Sequence, residues 1–212
     1  MRNTCCNVTW LALLASTLLA CMNGIGAQAF AEDKKTDRFP KVTLTTQDGK
    51  DVEFYRDLVQ GKIVIINMMY TQCKGICGLS TRKLAQVQEA LGDRLGREVF
   101  IYTVTLDPEH DKPEVLKKYA DAHGAKTGWT FLTGNKDDVE ALRGSLGLSN
   151  VDAKLTARLG SQKVGADAAQ TKHSGMIVIG YDDFDKWHKV HAQSSPEQIL
   201  QAIERMKPAS RP

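Results

Sequence analysis

The sequence lacks any run of more than two consecutive lysines or arginines, and only 7% of its 212 residues are aromatic. Proteins that bind single-stranded nucleic acid combine a basic groove with aromatic side chains on which the bases stack. The formal net charge of +3 is also spread along the chain, so the sequence predicts no nucleic-acid partner. With 42% apolar and 25% charged residues, the composition is that of one globular domain, which we expect to be monomeric.

Long apolar runs are scarce too: there is one, from Val8 to Met22, and it follows Arg2. A basic residue, a short apolar run and then small residues are typical of an export signal. We therefore predict a signal peptide or membrane anchor over residues 1–31 and a polar linker over 32–40. Three fates stay open for the leader, namely cleavage after Ala31, acylation of Cys21, or retention as a membrane tether. Each predicts that the rest of the chain is exported.

Cysteine is rare outside this leader. The chain has five cysteines, but three of them precede residue 32, so only Cys73 and Cys77 remain in the globular part. A disulfide between residues so close in sequence closes too small a loop to stabilise a fold appreciably. The pair therefore indicates chemistry rather than a structural cross-link.

Residues 41–208 alternate short β-type runs with helical patterns, which predicts an α/β domain with helices packed on a sheet. The run of mainly β-branched and apolar residues at 62–70 predicts a central strand that is buried on both faces. An Asp-Gly turn at 48–49 predicts a hairpin at the start of the domain, and residues 149–172 read as a long loop. The remaining predicted strands are 99–106, 129–132, 176–181 and 186–190, and the predicted helices are 79–95, 113–123, 137–146 and 196–206.

Cys73 and Cys77 lie between the predicted central strand and the helix that follows it. Unpaired N–H groups and the helix dipole stabilise a thiolate at a helix start, which predicts lowered thiol pKa values. Residues i and i+4 also share one face of a helical turn, so both sulfurs can point to one place. This spacing suits two ligands on one metal ion and still permits a disulfide after a modest rearrangement. Metal binding and redox chemistry both remain open.

His173 is the candidate for a third ligand, because it ends the long loop just before the strand at 176–181. Two thiolates suit Cu(I), and an added imidazole gives a site for both Cu(I) and Cu(II). A closed zinc site requires four protein ligands, and only two cysteines are available, so the residues favour copper over zinc. Thioredoxin-type oxidoreductases carry a cis-proline at the place that Lys172 and His173 occupy here. The chain has no proline between Pro113 and Pro196, which favours a ligand over a peptide-holding device.

At these residues the sequence resembles the Sco/SenC family of copper-binding assembly proteins for cytochrome c oxidase. The likeness runs from about residue 42 to 206. It is carried by the segments 43–50, 70–71 ahead of the cysteine pair, 103–111 (Thr-Val-Thr-Leu-Asp-Pro-Glu-His-Asp), 132–134 and 173–174. The resemblance implies a thioredoxin-like fold, with a central mixed sheet flanked by helices, to which the predicted hairpin adds an N-terminal β-hairpin extension. It also implies a periplasmic domain that is often tethered to the inner membrane.

The resemblance also implies a function. Copper would be bound by Cys73, Cys77 and His173, with Asp107 supporting the site from outside the ligand set. The partner would be a copper-enzyme subunit, which receives copper at the binuclear centre of the oxidase. The alternative is a thiol-disulfide reductase of the partner's cysteines, in which Cys73 attacks and Cys77 resolves.

The sequence departs from the family pattern at two positions. Lys74 and Gly78 stand where the family commonly has proline after each cysteine. A different recipient, such as a denitrification reductase, therefore stays open.

Overall fold

The structure, a computed structural model, describes residues 38–73, 76–148 and 175–207. These residues belong to one unit, Lys35–Pro212. The predicted leader, residues 32–37 of the predicted linker and the predicted loop at 149–172 lie outside the described residues, and so they stay predictions. None of the helices in the described ranges is long and apolar enough to cross a bilayer.

Seven strands and four α-helices make up the described part of the domain. In chain order they are β1 (Thr43–Thr46), β2 (Asp51–Glu53), β3 (Ile63–Met69), α1 (Ile76–Leu91), β4 (Val99–Thr105), α2 (Pro113–Ala122), β5 (Trp129–Thr133), α3 (Lys136–Ser145), β6 (Met176–Tyr181), β7 (Lys186–His191) and α4 (Pro196–Met206).

The strands form one mixed sheet in the order β2-β1-β5-β4-β3-β6-β7. Strand β4 pairs in parallel with both β3 and β5, while the outer pairs are antiparallel. All seven residues of β3 are buried, as its sequence, apolar except for Asn67, predicts for a strand covered on both faces. The predicted N-terminal hairpin is confirmed as β1 and β2, and Gly49 supplies the positive φ of +78° in its turn.

The two faces of the sheet carry separate apolar clusters because side chains alternate along each strand. Ile65 and Met69 of β3 lie on the face that α1, α2 and α4 cover. Ile66 and Met68 lie on the other face, which α3 covers together with a π-helical segment, Phe54–Val59. The sheet is therefore the middle layer of three.

Two boundaries differ from the predictions. Helix α1 begins at Ile76 rather than at residue 79, so Cys77 lies inside the helix. Phe39, within the predicted linker, is 4% exposed and packs its ring 5.0 Å from that of Trp187, centroid to centroid. The packed domain therefore begins at or before residue 39.

Candidate metal centre

The carboxyl ends of β3 and β4 lie side by side, because the two strands are parallel and pair Met69 with Thr105. The chain leaves β3 through residues 70–73 and leaves β4 through residues 106–112. Parallel pairing therefore places residues 70–73, which end at Cys73, beside residues 106–112, more than thirty residues further along the sequence.

Cys73 closes a tight turn at the end of β3. Its backbone N–H donates to the carbonyl of Tyr70 at 3.2 Å. The side chain of Cys73 is partly exposed, whereas Cys77, in the first turn of α1, is only 2% exposed. No disulfide joins the two cysteines in the structure.

The two thiols are in hydrogen-bond contact, and Cys77 also contacts the backbone of Tyr70. Burial, followed by the hydrogen bond with the Cys73 thiol, raises the pKa of Cys77 to about 12. The expected lowering of the thiol pKa is thus wrong for Cys77, because removal from water disfavours the thiolate more strongly than the start of α1 stabilises it.

The sulfurs also meet in a different way from the predicted one. Cys73 precedes α1, whose first residue is Ile76, so the two cysteines do not share a helical turn. The turn at 70–73 instead brings Cys73 against the first turn of the helix. Convergence of the two sulfurs therefore depends on how that turn is held.

His173 and Lys172 lie outside the described residues. The strand that follows them, β6, runs antiparallel to β3 and pairs Ile177 with Asn67, so its first residues lie at the edge of the sheet from which Cys73 emerges. Across the described ranges, no group of three His, Cys, Asp or Glu side chains is placed to hold a metal ion. His188 and His191 of β7 are exposed.

Asp107 follows β4 at the same edge, but its described partner is another side chain. Its carboxylate contacts Nδ1 of His110 at 2.9 Å, and this contact raises the pKa of His110. Asp107 also lines a cavity of about 210 Å³ together with Tyr70 and Glu140. A supporting role for Asp107 at the metal centre remains a prediction.

Asp111 is the functional candidate that the sequence analysis missed. It is 1% exposed, and its carboxylate accepts hydrogen bonds from the hydroxyl of Thr71, from the N–H of Thr71 at 3.0 Å, and from the hydroxyl of Thr105 at 2.5 Å. The sequence does contain a signal for this cluster: Thr71 and Thr105 lie at the ends of two predicted strands, and Asp111 lies just before a predicted helix. Only the parallel register of β3 and β4 brings these residues together.

A sequence model of the SCO1/SenC family matches residues 31–207. The chain belongs to the SCO1/SenC family. One curated relative is the SCO1 protein homolog of Bacillus subtilis. It is 33% identical to this chain over 93 residues, which are 43% of this chain and 47% of the relative. The chain thus matches about half the length of the curated relatives it resembles.

Solved structures of the SCO1/SenC family share the fold. A family lipoprotein from Bacillus anthracis superposes with a TM-score of 0.60 at 20% identity, covering 79% of this chain and 94% of the other. ScoI of Bradyrhizobium japonicum with copper bound gives 0.57 at 21% identity, covering 78% and 96%. Together with the mixed sheet and its flanking helices, these likenesses confirm the predicted thioredoxin-like fold.

Proposed function

We propose that this SCO1/SenC protein binds copper through Cys73, Cys77 and His173 and delivers it to a respiratory copper enzyme. The observation that carries the proposal is the contact between the Cys73 and Cys77 thiols at the carboxyl end of β3. Two neighbouring sulfurs are a soft donor pair, which suits Cu(I). The donor set at this edge therefore fits copper.

The unequal exposure of the two thiols suits a site that must both take up copper and release it to a partner. Cys73 is partly exposed, so a partner's ligand has access to metal held there, while Cys77 is buried. Thiol ligands lose their protons when they bind a metal ion. With a pKa raised to about 12, Cys77 keeps its proton until copper displaces it, so copper uptake releases protons and strengthens as the pH rises.

His173 is proposed as the third ligand because of its place in the sequence relative to β6. It stands two residues before Gly175, whose carbonyl accepts the N–H of Ala192 at 2.6 Å. Strand β6 begins at the edge of the sheet that carries the cysteine pair. An imidazole added to two thiolates stabilises Cu(II) as well as Cu(I).

Family membership supports a proposal for the recipient and for the location. Copper is bound in ScoI of Bradyrhizobium japonicum and in yeast Sco1, and a family relative in Bacillus anthracis is a lipoprotein. We propose the binuclear copper centre of cytochrome c oxidase as the recipient. The N-terminal segment, residues 1–31, would hold the domain at the periplasmic face of the inner membrane.

Copper titration of the reduced protein tests the ligand set. We expect His173→Ala to weaken Cu(II) binding at least about tenfold and to shift the sulfur-to-copper charge-transfer band, because one ligand is lost. His188→Ala is the matched control, since His188 is exposed on β7, and it should bind copper as the wild type does. Unchanged affinity and spectrum in His173→Ala would remove His173 from the proposed site.

A second candidate function, thiol-disulfide reduction, is favoured by the unequal exposure of the two cysteines. The Cys73 thiolate would attack a partner disulfide and release one partner thiolate. Cys77 would then lose its proton, attack the Cys73 sulfur and release the second partner thiol, leaving a Cys73–Cys77 disulfide that an external dithiol must reduce. Rapid reduction of insulin without copper would favour this function over copper delivery.

A further inference from the structure

Asp111 is a buried carboxylate with three donors converging on it. Its Oδ2 accepts the N–H of Thr71 and the hydroxyl of Thr105, and its Oδ1 accepts the hydroxyl of Thr71. Asp111 and Thr105 are 1% and 0% exposed, respectively. Hydrogen bonds to a charged acceptor are stronger and more directional than those between neutral groups, so Thr71 is held by two such bonds.

Thr71 is a central residue of the turn that ends at Cys73. The turn is closed by the bond from the N–H of Cys73 to the carbonyl of Tyr70, at 3.2 Å, and the same Tyr70 backbone contacts Cys77. Since Asp111 accepts hydrogen bonds from both the backbone N–H and the hydroxyl of Thr71, it fixes the orientation of this turn. The direction in which Cys73 leaves the turn depends on that orientation.

The carboxylate also anchors the turn to the sheet. The Thr105 hydroxyl that donates to Asp111 accepts the N–H of Asp107 at 3.0 Å, and Thr105 pairs with Met69 of β3. Asp111 itself lies just before α2. The turn is therefore tied to β4 and to the start of α2, both rigid elements of the fold.

We propose that Asp111 is a positioning residue of the metal centre, which acts through Thr71 to hold Cys73 at the distance and angle that copper binding with Cys77 requires. This proposal rests on the proposed function. Groups that orient metal ligands without touching the metal typically change its affinity 10- to 100-fold when they are replaced.

The chain provides a matched control for the loss of a buried carboxylate. Asp182 is 3% exposed and accepts the hydroxyl of Tyr55 at 2.7 Å. It follows Tyr181, which pairs with Ile63 at the opposite end of β3 from the cysteines. Asp182→Asn therefore perturbs a buried acceptor and leaves the turn at Cys73 untouched.

The test compares Asp111→Asn with Asp182→Asn in the full chain, with urea unfolding to establish that both are folded. Asparagine keeps the shape of the side chain but leaves one acceptor oxygen for three donors. We expect Asp111→Asn to weaken Cu(II) binding about tenfold or more and to shift the charge-transfer band, while Asp182→Asn changes neither. Equal effects of the two variants, or none from Asp111→Asn, would overturn the proposal.

Thr71→Val keeps the test decisive if Asp111→Asn does not fold, because it removes only the hydroxyl bond and retains the backbone one. A smaller weakening of copper binding with a band shift in the same direction is expected, and wild-type behaviour would overturn the proposal.

A further readout separates this proposal from the proposed function. If the wild-type protein binds no copper, the proposed function fails, and the reduction potential of the Cys73–Cys77 pair decides the positioning role instead. There we expect Asp111→Asn to change the equilibrium constant for disulfide formation about tenfold, or about 30 mV. A potential equal to that of the wild type and of Asp182→Asn would overturn it.

Discussion

At the scale of single residues, the two cysteines differ in their exposure to solvent although their thiols are in contact. Cys73 is partly exposed, while Cys77 is buried and its pKa is raised to about 12 from the usual 9.0. A folded-state pKa above the unfolded value means that the folded protein holds the proton more tightly. The stability that this adds is fully present below about pH 9 and is lost as the pH rises towards 12.

Alkylation of the reduced protein tests this difference. Because the thiolate is the reacting species, iodoacetamide at pH 8 should label Cys73 at least about tenfold faster than Cys77, as measured by mass spectrometry. Labelling of Cys77 should accelerate steeply as the pH approaches 12. In denaturant the two cysteines should react at similar rates, which is the control. Equal rates in the folded protein at pH 8 would contradict the burial of Cys77.

At the scale of elements, two glycines allow the segments before β4 and β5 to touch. Gly128 has a φ of +97°, and a Cβ placed on it would lie 2.4 Å from the backbone nitrogen of Gly96. The carbonyl of Gly128 accepts the N–H of Ile101 in β4 at 2.8 Å. This close approach lies next to the first pair of the parallel register between β4 and β5, Ile101 with Trp129.

Alanine at position 128 should therefore be costly. We expect Gly128→Ala to lower the free energy of unfolding by about 2–5 kcal/mol, the sum of a left-handed backbone and a steric clash. Gly124→Ala is the control, because its φ is +65° but nothing lies within 4 Å of the added Cβ, and it should cost about 1 kcal/mol. Equal losses for the two variants in urea unfolding would show that the contact with Gly96 contributes nothing.

The elements that sequence predicts well are those with a long, regular pattern. Strand β3 is apolar except for Asn67, and α3 begins after Asn135, whose side chain accepts the N–H of Asp138 at 2.8 Å as its cap. The segment Phe54–Val59 was missed because its apolar residues continue directly from β2. The predicted start of α1, residue 79, is three residues too late, because the sequence has a glycine, Gly78, in what proves to be the first turn of the helix. A glycine in a first turn interrupts few helical hydrogen bonds.

At the scale of the whole molecule, the order of strands decides which residues meet. The sequence predicts that Cys73 follows a central strand, but it does not predict that β4 lies in parallel beside β3, or that β6 lies antiparallel on the other side. The cysteine pair could be found because its members are close in sequence. Asp111 could not, since it lies 40 residues from Thr71 and meets it only through the register of the sheet.

The most direct test of the copper site is X-ray absorption spectroscopy of the copper-loaded full chain, which counts the sulfur and imidazole ligands around the metal. We expect two sulfur ligands, from Cys73 and Cys77, and one imidazole, from His173. A spectrum with fewer than two sulfurs, or without imidazole scattering, would contradict it.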